Sequence, residues 1–306
     1  MVSYIYHISH NDLDGVACAV VLKRTIGNHP YKHHFCDYHT MEDSINKTYS
    51  SLQGKDTLVV TDTSPSAKFV KNDSEGENRL IVVDHHKTNA FLSTYPKHVL
   101  NTTKCATYLV SRHFSCAHEY VLSPDEKDFV DAVNAWDMWE VNSPHRARGE
   151  NLNNILNFVG RAEFYRTFSA NITADLSDPF FIKASEYIGQ GKNRYVRRVV
   201  DTQVKNDTHF DDFGNTFKVF VAEDHTSYVG HEALEREECE NVGYVVIVNP
   251  LSNSVSLRSN TMDVSVVASA MGGGGHKEAS GFRRNIQKII RDSVASILDG
   301  SKDFTG

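Results

Sequence analysis

The chain has 306 residues, of which 40% are apolar and 23% charged, and its net charge is −7. That length accommodates two domains with separate cores, and the negative balance argues against a broad non-specific nucleic-acid surface, though not against a short anionic substrate held by a few local cations. No apolar run approaches the roughly 20 residues of a membrane span, no signal peptide is visible, and five scattered cysteines without a C-x-x-C pair suggest free thiols in a reducing compartment, the cytoplasm by default.

Ser3–Ser9 alternates as a strand and runs into His10-Asn11-Asp12-Leu13-Asp14-Gly15. Gly15 leads into a helix, with Val16, Ala19, Val20 and Lys23 spaced as one with a single apolar face. A short strand over His34–Tyr38 and a polar-faced helix over Met41–Leu52 follow. Thr57–Thr61 is a strand that ends on Asp62, and a helix starts near Ser66. Asn72–Asn78 is a polar loop. Leu80–Val83 is an unbroken β-favouring apolar run, the pattern of a strand covered on both faces, and it stops on Asp84-His85-His86. Strand and helix alternate with short connections, which predicts an α/β fold with a mainly parallel, doubly wound sheet.

Lys104–Phe114 is helical. Ser123-Pro124-Asp125-Glu126 is a helix start with a capping box and proline at the first helical position; this helix carries Phe129, Val130, Val133 and Trp136 and sets Asp137 near its end. Asn142–Glu150 is a breaker region, Asn151–Thr173 an interrupted helix, and Asp178-Pro179 opens a helix to about Asp201 whose later part connects two domains. The expected division is a metal-binding domain over residues 1–188, a helical linker over 189–205 and a smaller α/β substrate-binding domain over 206–306, with the active-site cleft between them. In the last of these, Phe217–Ala222 and Val242–Val248 read as strands flanking a helix at His231–Glu238. Ser254–Arg258 is a strand, Val264–Met271 a helix, and Asn285–Leu298 an amphipathic closing helix.

Three strand-like runs thus deliver acidic and imidazole groups at their ends, and parallel strands would bring those ends to one sheet edge, where ligands of open α/β sheets gather. On an extended chain His10, Asp12 and Asp14 would share one face; Asp62 and His85 come from neighbouring strand ends, and Asp137 from the far end of a capped helix. Carboxylates with some imidazole suit Mn²⁺, with Mg²⁺ or Fe²⁺ as alternatives. Five or six such ligands suit two ions roughly 3.5–4 Å apart, the arrangement that clamps attacking and leaving oxygens in phosphoryl displacement, and Asp62 could bridge them. His7, His29, His33, His34 and His39 read as surface or loop residues. In Gly272–Gly275, followed by His276 and Lys277, successive amides would form a nest for an anion, and Arg258 could fork onto a phosphate.

HNDLDG, the strand ending on Asp62, VVDHH, the late Asp137 and GGGGHKEASGF resemble the DHH phosphoesterases that carry a glycine-rich DHH-associated C-terminal domain, and among them the nanoRNase or oligoribonuclease type, which Ser256-Leu257-Arg258-Ser259 also matches. The resemblance implies a two-metal phosphodiesterase in which a hydroxide bridging the metals attacks phosphorus. His10 and Asp12 would hold one metal with Asp62; Asp14, His85 and Asp137 would hold the other, with Asp62 shared. His86 would face the scissile phosphate and Asp84 would orient the imidazoles. Arg258, Gly273, Gly274, Gly275, His276 and Lys277 would hold the terminal phosphate or a base. Many members of that type place the first histidine four residues before the first aspartate, whereas His10 is two before Asp12, so His7 stands as the alternative ligand.

The implied function is hydrolysis of short oligoribonucleotides or linear dinucleotides to 5′-mononucleotides. The neighbouring readings are a cyclic-dinucleotide phosphodiesterase, a 3′,5′-bisphosphonucleotide phosphatase and, from another class, a non-catalytic nucleotide-binding protein. The expected partners exclude long duplex nucleic acid and membrane, and a homodimer is left open.

Overall fold

A computed structural model describes residues 3–38 and 40–299; His39, read above as a surface histidine, lies outside the described residues. The chain divides into two compact units, residues 1–189 and 190–306.

The first unit runs β1 (Ile5–His10), α1 (Leu13–Ile26), β2 (Tyr31–Cys36), α2 (Met41–Ser51), β3 (Thr57–Thr61), α3 (Ala67–Glu75), β4 (Leu80–Asp84), β5 (Val99–Leu100), α4 (Ala106–Ala117), α5 (Pro124–Asp137), α6 (Arg146–Val159), α7 (Arg161–Ala170) and α8 (Ala174–Ser177). Its sheet has the order β2-β1-β3-β4-β5 and every pairing is parallel. Side chains alternate across a strand, so each strand feeds two cores. Val59 and Val83 pack with α1, α4, α5 and α7 on one face. Leu58, Val60, Leu80 and Val82 pack with Ile45 of α2 and Val70 of α3 on the other. The apolar run at Leu80–Val83 is therefore covered on both faces, and the doubly wound α/β sheet is what the chain forms.

Helix α1 departs from the one-faced reading. Val16 through Leu22 are each at most 3% exposed, because α4, α5 and α7 also pack on α1. A helix apolar all round is a core helix, and Ala17, Cys18 and Ala19 are small enough to let its neighbours close in.

Three boundaries also differ. Strand β2 starts at Tyr31, three residues before the predicted start, because pairing with β1 from Ile5 onward recruits residues without a strong strand pattern. Helix α3 extends to Glu75, into the stretch read as a polar loop. Its Asp73 is buried, accepting from Tyr49 Oη at 2.5 Å and from the Arg79 and Leu80 amides. Helix α6 begins at Arg146, inside the predicted breaker region. There Arg148 binds Asp175 with two bonds of 2.9 Å, Asp128 at 2.6 Å and the Ile172 carbonyl at 3.0 Å, a bidentate arrangement that ties α5, α6 and α8 together.

Helix α9 (Pro179–Gln203) crosses the division between the units. Its later residues Val196, Val199 and Val200 are core residues of the second unit, with Val204, Phe220, Val229, Val245 and Ile247. That unit continues with β6 (His209–Phe210), β7 (Thr216–Val221), α10 (Thr226–Leu234), β8 (Tyr244–Asn249), β9 (Ser254–Arg258), α11 (Val264–Ala270), β10 (Gly274–Gly275), β11 (Ala279–Arg283) and α12 (Ile286–Asp299). The sheet order is β10-β11-β9-β8-β7-β6, antiparallel except for β7 beside β8. Helix α10 starts five residues before the predicted His231 and Glu237–Cys239 is a separate 3₁₀ turn; as the crossover between parallel β7 and β8, it must leave soon after β7 ends. No helix among the described residues is long and apolar enough to cross a membrane.

Candidate metal centre

The site starts from the turn after β1. Strand β1 ends on His10, and Asp12 caps α1 by accepting from the Gly15 amide at 3.1 Å. The chain is thus not extended through His10, Asp12 and Asp14, as the alternation suggested; it has already entered a helix. Asp14 lies in the first turn of α1 and is 1% exposed. Its two oxygens accept from the Ala106 and Thr107 amides at 2.7 and 2.8 Å, the N-terminus of α4, where backbone N–H groups favour an anion.

Asp62 follows β3 with φ +57°, the left-handed region that aspartate tolerates better than most residues. This bend turns its carboxylate inward. Oδ1 lies 3.2 Å from His85 Nε2 and Oδ2 lies 3.6 Å from His10 Nδ1. His10 Nδ1 is also 2.8 Å from Asp12 Oδ2. His85 Nε2 is 3.7 Å from Asp14 and 3.6 Å from Asp137. Donor atoms of His10, Asp12 and Asp62 lie within 4.8 Å of one another, and so do those of Asp14, Asp62 and His85. All six predicted ligands converge, with Asp62 common to both groups.

Asp137 is placed by the way α5 stops. The capping box predicted at Ser123 and Glu126 is present. At the other end the Glu140 amide donates to the Ala135 carbonyl at 2.9 Å, and Trp139 takes φ +54°, the left-handed termination usual for glycine. Arg146 donates from Nη1 to the Ala135 and Trp136 carbonyls at 3.1 and 2.7 Å and stacks between the Trp136 and Trp139 rings.

Asp84 is fully buried and accepts from the His85 amide at 2.8 Å, His86 Nδ1 at 2.8 Å and Asn89 Nδ2 at 2.5 Å. It thereby fixes the His86 ring. Burial works against a charged His86, but Asp84 outweighs it and raises its pKa.

His7 is neither a surface residue nor a substitute ligand. It is 1% exposed, with Nδ1 2.7 Å from the Tyr31 hydroxyl and Nε2 2.8 Å from Thr61 Oγ1. Thr61 Oγ1 also meets Ser9 Oγ at 2.8 Å, and Ser9 donates to the Gly15 carbonyl at 2.7 Å. A side chain in mid-β1 points to one core while the strand end is three residues further on, so His7 braces β1, β2 and β3 just below the site. Burial, and then His33, push its pKa down to about 3. Protons that the unfolded chain binds below its ordinary pKa of 6.5 are thus refused by the folded one, and stability falls as pH drops from 6.5 towards about 3. His7→Ala is expected to cost ~2–3 kcal/mol at neutral pH through two lost buried hydrogen bonds and a cavity, and to flatten that acid loss; urea melts from pH 7 to 4 read both.

The cluster's electrostatics call for positive charge. Burial, and then Asp12 and Asp14, push Asp62 well above the carboxylate range. Burial also raises Asp137, with Asp14 and Asp62 adding to it against the pull of His85. His10 is drawn down by burial, but Asp12 and Asp62 raise it to about 11. Asp62 Oδ2 and Asp137 Oδ2 are buried and accept no hydrogen bond among the described residues. Left to itself, the pocket disfavours the ionised forms of Asp62 and Asp137, whereas divalent cations would reverse that balance. Oxygen and imidazole donors without thiolate fit hard divalent metals.

Sequence reading missed Tyr38, whose ring stacks on His10 with centroids 4.3 Å apart. It missed Asn89 on Asp84, and Arg161, whose Nε holds the Asn11 carbonyl at 2.6 Å. None belongs to a periodic or spaced pattern; for Tyr38 the available signal was an aromatic directly after an edge strand.

In the second unit, register pairs Arg258 with Ala279, so Arg258 and the turn carrying His276 and Lys277 share one end of the sheet. Arg258 donates to Ser227 Oγ at 2.7 Å and to the Leu257 carbonyl at 2.9 Å, and burial lowers its pKa to about 10. The glycine run is an edge strand rather than an open loop. A Cβ on Gly273 would overlap the Gly281 carbonyl and sit 2.6 Å from Phe282 Cβ. The Gly272, Gly273 and His276 amides donate to the Ser269, Ala268 and Ala279 carbonyls. Those three N–H groups are therefore committed within the fold.

No family model matches the chain. Oligoribonuclease NrnB of Bacillus subtilis is 25% identical over 309 residues, covering 90% of this chain and 72% of that protein. Among solved structures, the DHH domain of a member of a family of ribosomal proteins superposes with TM-score 0.62 at 11% identity, over 97% of this chain and 86% of that one. Exonuclease RecJ bound to manganese gives TM-score 0.58 at 13% identity, over 99% and 91%. A relative in sequence and a shared fold agree with the carboxylates and imidazoles gathered at the strand ends: this chain is similar to an oligoribonuclease in sequence and to DHH-domain proteins in fold.

Proposed function

We propose that the chain is a metal-dependent phosphodiesterase, at work in the cytoplasm, that hydrolyses short oligoribonucleotides or linear dinucleotides to 5′-mononucleotides, with Mn²⁺ as its metal. The observation that carries this reading is Asp62, one oxygen towards His10 and the other towards His85. The name of the B. subtilis relative supports the substrate class.

His10, Asp12 and Asp62 would hold one cation, and Asp14, His85 and Asp137 a second, with Asp62 shared. Cations bound there would supply positive charge against the phosphoryl oxygens and make water more acidic. His86 keeps its Nδ1 proton on Asp84, which orients the ring. Where the ring carries its second proton, its Nε2 donates to a non-bridging phosphoryl oxygen and stabilises the charge that builds there. In the second unit, Arg258, His276, Lys277 and the amides of Gly274 and Gly275 bind a phosphate or base of the substrate.

The test is turnover by the purified protein of RNAs of two to five nucleotides, linear and cyclic dinucleotides and adenosine 3′,5′-bisphosphate, with Mn²⁺ or EDTA. The expected result is 5′-mononucleotides from the linear substrates with Mn²⁺ and none in EDTA. Turnover confined to the cyclic dinucleotides or the bisphosphate, or tight binding without turnover, would overturn the assignment.

A further inference from the structure

The aromatic ring on His10 has a use beyond packing. Tyr38 follows β2, whose last residue Cys36 pairs with His10 at the end of β1, so the chain leaving the edge strand passes over the site. The Tyr38 and His10 rings are stacked, 4.3 Å apart and 28° from parallel. The His10 side chain is 13% exposed, yet Tyr38 is 58% exposed. The phenol therefore covers an imidazole of the metal cluster, with its hydroxyl end towards the cluster carboxylates, while more than half of the residue stays accessible to solvent. A large aromatic with a solvent-facing side beside a phosphate-processing centre is what a nucleobase stacks on. A base is tethered to its phosphate by one sugar, so it reaches only surfaces that flank the centre. The His10 ring already backs the phenol, which leaves less side-chain freedom to lose on binding.

We propose that Tyr38 is a base-stacking platform for the nucleotide whose phosphate engages the His10–Asp62 cluster; the proposal rests on the nucleotide-substrate reading above. Stacking accepts any base, because every base has a π-face, so the platform favours nucleotides over simple phosphodiesters without selecting a sequence.

Two experiments test it. In the first, 5-iodouridine 5′-monophosphate is bound to the full chain with Mn²⁺ and irradiated at long wavelength, and the cross-linked peptide is identified by mass spectrometry. The expected adduct is on Tyr38, competed by adenosine 5′-monophosphate and not by ribose 5-phosphate. An adduct elsewhere, no adduct, or equal competition by ribose 5-phosphate overturns the platform. In the second, Tyr38→Ala is expected to raise KM for a linear dinucleotide on the order of ten-fold, more than for a phosphodiester without bases, and Tyr38→Trp to recover it. If Tyr38→Ala instead weakens Mn²⁺ binding and leaves KM at the wild-type value, the ring only holds His10 and the proposal fails. Absence of all hydrolysis by the wild type would sink the nuclease reading, while the cross-link still decides the platform.

Discussion

Asp62→Asn is expected to lower kcat by roughly 10³-fold or more, beyond the 10–100-fold typical of residues that only orient metal ligands. Asparagine tolerates the left-handed backbone at this position, so the substitution changes charge and leaves the bend in place. It removes the one carboxylate that reaches both histidines. Steady-state kinetics at saturating Mn²⁺ check the loss, and circular dichroism checks the fold. Activity within ten-fold of wild type would exclude the bridging role.

The same substitution has an opposite expected effect on stability without metal. A carboxyl whose folded pKa is raised keeps its proton in the native state while the unfolded chain releases it. The native state then binds more protons, and stability falls as pH rises from the ordinary aspartate value of 3.8 towards the raised folded one. In EDTA at neutral pH, Asp62→Asn is therefore expected to melt no lower than wild type and to flatten that decline. With Mn²⁺ the order should reverse, because only the wild type gains the full stabilisation of a ligand that binds the native state alone. Thermal melts at pH 5 and pH 8, with and without Mn²⁺, distinguish the two states.

Gly15→Ala is the second large effect. A Cβ on Gly15 would overlap the His10 carbonyl oxygen and lie 2.6 Å from the His10 carbonyl carbon and 2.9 Å from Ser9 Oγ. These are mostly backbone atoms of the strand end that carries His10, so the start of α1 must lift away from β1. That opens the Ser9–Gly15 hydrogen bond and moves Asp12 and Asp14 relative to Asp62. The expected cost is ~3 kcal/mol, the upper end for overpacking, with activity down by on the order of 10²-fold from a displacement of about 1 Å. Gly191→Ala is the control. Nothing lies within 4 Å of its added methyl and it sits within α9, so it is expected to stabilise by up to ~1 kcal/mol. Urea denaturation of both variants and dinucleotide turnover of Gly15→Ala check the contrast.

Much of the first unit was legible because its signals are local. Leu80–Val83 announces a doubly covered strand, and Ser123, Pro124 and Glu126 announce a capped helix that ends at Asp137. The buried role of His7 was not legible. In a strand pattern a histidine is a polar residue, and only the neighbours supplied by β2 and β3, Tyr31 and Thr61, make burying it tolerable. The start of α6 was hidden for a similar reason. Ser143, Pro144 and Gly149 read as breakers, while the contacts of Arg148 with Asp128 and Asp175 that hold the helix come from residues 20 and 27 positions away.

The amino-acid order by itself determined which residue types stand at the strand ends, because apolar runs define strands and their interruption by Asp and His is visible in one dimension. It determined the alternation of strand and helix, and with it a parallel sheet. Only the folded chain decided how Asp14 is pinned by the start of α4, how the left-handed bend at Asp62 turns one carboxylate towards two histidines, and which glycine amides are taken up by the last carbonyls of α11. The first two depend on groups from distant segments meeting at hydrogen-bond range, and such distances are set by packing three layers together, which no local pattern encodes.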